Sequence, residues 1–235
     1  MIINLILFVI VILLMTILFP LSGYHQSKLI KNNLVRGLHN KTDWYKKSAL
    51  WSWIPVAIIL PVIYITGYTL TDLGFRLPSK EHHNVSSLLF FVSLAAAAIY
   101  LLYNIYCIIS FRFSEKIREH HASKIPSSIK LILPVTKEEK QVWVFLSFTA
   151  GVTEEILYRG YLFFIFPLLF PELSFVYIIS VSVLLFGTGH LYQGKEVIKP
   201  ALAGLFLSLI FYFTGSLPLV IVLHIVQDLV ARELL

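Results

Sequence analysis

Charge and sulfur are what this sequence has least of. Of its 235 residues, 14% are Asp, Glu, Lys or Arg, where soluble domains carry about 25%. A single cysteine, Cys107, excludes a disulfide framework and a cysteine-rich metal site. It lies inside an apolar run, so packing is its expected role. No polar stretch is long enough to fold as a separate soluble domain, and no internal repeat or low-complexity tract appears. Apolar residues make up 57% of the chain, and the mean hydropathy is +0.80. The excess is spread over the whole length. It predicts an all-α, polytopic transmembrane helical bundle with about eight transmembrane helices, seven being the alternative count.

Net charge is +6 and the pI is about 9.3. The basic residues sit in loops beside apolar segments, where positive charge retains a loop in the cytoplasm and meets anionic lipid. Membrane lipid is therefore the expected partner, and nucleic acid is not. Residues 1–20 are apolar, but no Lys or Arg precedes them, unlike a secretory signal. They read as a retained first span with its N-terminus outside.

Residues 23–48 carry Lys28, Lys31, Arg36, Lys41, Lys46 and Lys47 against Asp43, which marks an inner loop. Spans are expected over 2–21, 49–70 and 87–110, with Pro55 and Pro61 kinking the second. Residues 71–86 are near neutral and suit an outer loop. Residues 111–140 hold seven basic residues and four acidic ones, so they read as inner. His120 and His121 in that segment are expected to be solvated. The apolar pattern from 141 to 170 is too long for one 30 Å core, at about 45 Å. A bend at Gly160 is expected, with one helix over 141–159 and a short one after it. Residues 174–191, 200–213 and 217–230 supply the last three spans. The natural division is 1–139, N-terminal transmembrane helices with basic loops, and 140–235, a helical core that carries the unusual residues.

Those residues are few. Of thirteen acidic side chains only Glu154, Glu155 and Asp228 fall inside apolar segments, and of nineteen basic ones only Arg159 does. A charge at bilayer depth costs roughly 2.5–3.5 kcal/mol on insertion scales, so a chain that keeps four of them is using them. Glu155 and Arg159 are four apart and share a helix face in the favourable order, which suits a structural pair. Glu154 lies about 100° round the helix and is left freer, as a general base should be. Phe186 and His190 are also four apart, next to Gly187 and Gly189. His224 and Asp228 share one face of the last helix, where a carboxylate could fix an imidazole's tautomer. Each group has a plainer reading as a helix–helix contact. Three polar helices together favour a shared cavity.

The motifs Glu154-Glu155-x-x-x-Arg159, Phe186-x-x-x-His190 and His224-x-x-x-Asp228, in this order over about residues 140–232, resemble the CPBP family. This family comprises the CAAX prenyl endopeptidases that cleave after prenylation and the related bacterial bacteriocin-processing and immunity proteins, also called Abi. The resemblance implies an eight-helix intramembrane endopeptidase acting on a membrane-associated protein or peptide. Glu154 and His190 would activate water, and His224 with Asp228 would stabilise the oxyanion. Glu155, Arg159 and Phe186 would support them. The family usually has Asn where this chain has Asp228, and an ionised Asp cannot donate to an oxyanion. The family has also been described as metalloproteases, so Glu154, His190 and His224 are a possible set for a divalent metal such as zinc. Two other readings stay open: a non-catalytic scaffold or immunity protein regulating an envelope enzyme or sensor kinase, and a proton-coupled transporter. A bacterial plasma membrane is the expected location. With eight spans, Glu154 falls in the outer half of the bilayer; a segment 160–170 that does not cross would reverse the later helices. The substrate and the oligomeric state are not legible.

Overall fold

The computed structural model describes residues 2–35, 41–81 and 85–235, and every regular element in them is a helix. α1 (Ile2–Leu13) continues through a π-helical turn at Leu14–Leu18 into α2 (Phe19–Val35). α3 (Lys41–Ile65) and α4 (Ser87–Phe113) follow. Short helices α5 (Glu115–Ser123) and α6 (Ser127–Lys130) lead to α7 (Lys137–Glu155). A π-helical segment, Ile156–Tyr161, joins α7 to α8 (Leu162–Leu169). α9 (Phe175–Gly189), a 3-10 segment (Leu191–Val197), α10 (Ile198–Thr214) and α11 (Leu217–Arg232) complete the bundle. Ile2–Leu29, Lys41–Ile65, Ser87–Phe113 and Leu191–Thr214 are each long and apolar enough to cross a membrane, and α9 is a shorter apolar helix. The chain is an integral membrane protein.

Two expectations are corrected. The helix does not break at Gly160: the backbone stays helical from Lys137 to Leu169. The extra residue is absorbed by the π turn, where the Leu162 N–H reaches back five residues to the Leu157 carbonyl. Gly160 instead makes room for a neighbour, since a Cβ there would lie 3.2 Å from the Leu73 carbonyl oxygen. One helical rod replaces two, so seven rods run between the two ends among the described residues. The second span also begins earlier than expected, at Lys41, and its helix runs unbroken past both Pro55 and Pro61. Arg36, counted in the first basic loop, and residues 82–84 of the neutral loop lie outside the described residues.

The ends of the bundle are tied by specific bonds. At one end, the loop after α3 meets the α10–α11 turn: Leu217 N–H donates to the Gly74 carbonyl at 2.8 Å, Ser79 N–H to Thr214 O at 2.9 Å, and Ser216 Oγ–H to Arg76 O at 2.8 Å. Gly215 closes α10 in the left-handed region, at φ 64°. At the other end, Lys41 Nζ donates to Leu133 O at 2.7 Å and lies 3.3 Å from Glu139, which completes a capping box with Thr136. There too, Lys140 Nζ donates to Leu235 O. The second end gathers the basic loops.

The bundle's interior is an apolar core with a few polar side chains set into it, and its outer surface is apolar as well. Thr149, Thr153, Ser182 and Ser208 are buried, whereas Leu102, Tyr103 and Tyr106 on α4 are exposed. α7 packs on α3 and α11. Its approach to α11 depends on Gly151, where a Cβ would meet Ile225 Cγ1 at 2.5 Å and the Ile225 backbone nitrogen at 3.2 Å. That contact is one turn before Glu154 and Glu155 and next to His224. Gly151→Ala gains up to about 1 kcal/mol in helix propensity but overpacks a backbone contact at about 1–3 kcal/mol. Net destabilisation is expected, larger for Gly151→Leu, as a lowered unfolding temperature of the detergent-solubilised protein. An unchanged temperature for Gly151→Leu would contradict this packing.

Candidate active site

Arg159 is fully buried, and its surroundings explain how a guanidinium survives there. Nη1 donates to Glu155 Oε1 at 2.6 Å, Nη2 to the Gly204 carbonyl at 2.7 Å, and Nε to Ser208 Oγ at 3.3 Å. The Phe186 ring lies beneath its Cζ at 4.8 Å, within cation–π range. Gly204 and Ser208 are one turn apart on α10. A Cβ at Gly204 would sit 3.2 Å from Nη2, so glycine opens the carbonyl to the guanidinium.

Glu155 Oε1 has a second partner: the His224 Nδ1–H donates to it at 2.6 Å. The sequence assigns His224 to Asp228, and this is the main revision inside the site. Glu155 fixes the tautomer and tilt of the ring. His224 Nε2 then faces two carboxylates, Glu154 Oε2 at 3.8 Å and Asp228 Oδ2 at 3.7 Å. Both are ion-pair separations, too long for direct hydrogen bonds and suited to a bridging water. Glu154 Oε2 is buried and has no hydrogen-bond partner among the described residues.

His190 caps the C-terminus of α9, with Nδ1–H directed at the Phe186 carbonyl at 2.9 Å, which leaves Nε2 as the acceptor nitrogen. Phe186 is the hub of the aromatic packing. Its ring centre lies 4.7 Å from that of His190, 6.0 Å from His224 and 5.0 Å from Tyr158. Ser182 Oγ–H donates to the Tyr158 carbonyl at 2.9 Å and joins α9 to the π segment.

Glu154, His190, His224 and Asp228 line one cavity of about 510 Å³. Trp44, Trp51 and Trp143 form its walls, and Leu133 and Lys199 line it towards the basic end. Glu154 lies about 25 Å along α7 from Lys137. The cavity extends from there towards the end of the bundle that carries the basic loops. Among the described residues no three His, Cys, Asp or Glu side chains are grouped to hold a metal ion. Both histidines commit Nδ1 to an acceptor and keep Nε2 free, as a metal-ligating imidazole does, but Glu154, His190 and His224 are not grouped as a ligand set in this arrangement.

Sequence reasoning did not single out Gly204, Ser208, Trp143 or Gln227. Gly204 and Ser208 carry a signal, a small-residue pair at i and i+4 on an apolar helix. Trp143, which donates to the Asp228 carbonyl at 3.0 Å, carries none. The buried pair yields a direct expectation. Arg159→Ala leaves the Glu155 charge uncompensated and should destabilise by about 3–5 kcal/mol. Arg159→Ala with Glu155→Gln should recover part of that loss, as read by unfolding in detergent. Equal instability of the single and double variants would contradict the pairing.

Residues 138–230 match the family described as type II CAAX prenyl endopeptidase Rce1-like. No curated protein and no solved structure matches the chain. The matched region contains all three motifs and every member of the polar cluster, so residues 138–230 are similar to the Rce1-like family of type II CAAX prenyl endopeptidases.

Proposed function

We propose that this protein is a glutamate-type intramembrane endopeptidase that cleaves membrane-associated peptides reaching the cavity from the cytoplasmic side. The observation that carries the reading is the buried, unpartnered Glu154 Oε2, placed beside His224 in the cavity that also holds His190. A carboxylate without a structural partner at the base of a cavity is costly unless it is used.

In this reading Glu154 takes one proton from a water, and His190 Nε2 accepts a hydrogen bond from the same water. The water oxygen bonds to the scissile carbonyl carbon, and the C=O π pair moves onto oxygen. His224, protonated on both nitrogens, donates Nδ1–H to Glu155 and Nε2–H to that oxyanion. Asp228, on the far side of Nε2, supports the cationic ring. The tetrahedral species then collapses: the C–N bond breaks, and Glu154 passes its proton to the leaving amine. Glu155 and Arg159 hold His224 in place throughout. The tryptophan-lined walls suit an apolar or lipidated peptide.

The test is turnover of an internally quenched, farnesylated peptide ending in Cys-aliphatic-aliphatic-X by the full chain in lipid nanodiscs. Glu154→Gln should lower kcat by about 10²–10⁴-fold while insertion and unfolding temperature stay unchanged. Retained turnover in that variant would refute Glu154 as the base. Unchanged cellular function of Glu154→Gln would favour the non-catalytic scaffold reading.

A further inference from the structure

The oxyanion reading leaves a shortage of donors. His224 supplies one N–H, and ionised Asp228 accepts only. An oxyanion held by a single donor in a site that excludes water is poorly stabilised. Gln227, next to Asp228 in sequence and three residues after His224, shares a face of α11 with His224. It lines the same cavity. Its orientation is fixed from outside the site: the Tyr100 hydroxyl, on α4, donates to Gln227 Oε1. The Tyr100 ring is itself held against Phe206 of α10, centres 4.6 Å apart. With Oε1 taken, the carboxamide has two N–H donors for another acceptor.

We propose that Gln227 is a further catalytic residue, whose side-chain N–H donates to the oxyanion alongside His224, and that Tyr100 is its positioning residue. The inference rests on the endopeptidase reading. The amide is neutral, so it donates without adding a third charge between Glu154 and Asp228. Three other donors at the cavity are engaged. Gln193 donates to the Tyr192 hydroxyl at 3.3 Å, the Trp143 indole donates to the Asp228 carbonyl, and the exposed Lys199 pairs with Glu196 at 2.5 Å. The last of these stands at the mouth. As the water oxygen bonds to the carbonyl carbon, the carbonyl oxygen gains an electron pair. The Gln227 bond strengthens at that moment and relaxes when the C–N bond breaks. The side chain transfers no proton.

The experiment uses the full chain in nanodiscs, the farnesylated quenched peptide, and a phosphinate analogue in which a tetrahedral anion replaces the scissile amide. Gln227→Ala and Gln227→Glu should lower kcat about 100-fold, with KM for the peptide nearly unchanged. Phosphinate affinity should fall by a similar factor, while binding of the uncleaved peptide holds. Tyr100→Phe, which frees the amide to rotate, should show a smaller effect in the same sense. Loss of peptide and phosphinate binding in equal measure would overturn the proposal, as would no change in either. A wild-type protein that binds the phosphinate no tighter than the peptide would also overturn it. The parent reading is scored separately by Glu154→Gln: turnover that depends on Glu154 but not on Gln227 sinks this inference alone.

Discussion

A guanidinium sealed inside a lipid-embedded bundle is the constraint from which the rest of this structure follows. Its desolvation would cost several kcal/mol if unmatched. The fold meets that cost by drawing three helical segments onto one side chain. The π segment supplies Arg159, α7 supplies Glu155, and α10 supplies the Gly204 carbonyl and the Ser208 hydroxyl. α9 adds the Phe186 ring. Because Glu155 Oε1 also accepts from His224, α11 is recruited to the same point. The helices that bear the polar motifs are thus oriented by one charge network as well as by apolar packing.

That network also separates scaffold from chemistry. Glu155 Oε1 is shared by Arg159 and His224 and Glu155 lies outside the cavity lining, whereas its neighbour Glu154 lines the cavity, with an Oε2 that, like Glu155 Oε2, bonds nothing among the described residues. Adjacent glutamates on a helix point about 100° apart, so one can be structural while the other stays available. The cavity extends from this pair past Trp44, Trp51 and Trp143 towards Leu133 and Lys199. Lys41, bonded to Leu133 and paired with Glu139, holds the polar segment before α7 against that rim. A peptide anchored in the inner leaflet would meet the mouth before it met the carboxylates.

Much of this is legible in the sequence, for a physical reason. Lipid expels charge so strictly that Glu154, Glu155, Arg159 and Asp228 stand out within apolar segments, and i, i+4 spacing assigns their faces. The all-helical membrane architecture follows from composition alone. What spacing cannot give is contact between separate helices. It pairs His224 with Asp228, its neighbour in sequence, while the hydrogen bond goes to Glu155, sixty-nine residues away. Gly160 reads as a break because glycine often is one. Here it admits the Leu73 backbone, and a π turn absorbs the excess length.

The central claim, that Glu155 binds His224 into the Arg159 network, is tested most directly by the ring resonances of His224 in protein labelled with nitrogen-15 at histidine. The account predicts a strongly downfield Nδ1 proton that persists in Asp228→Asn and disappears in Glu155→Gln. A His224 signal that ignores Glu155 and responds to Asp228 alone would contradict it.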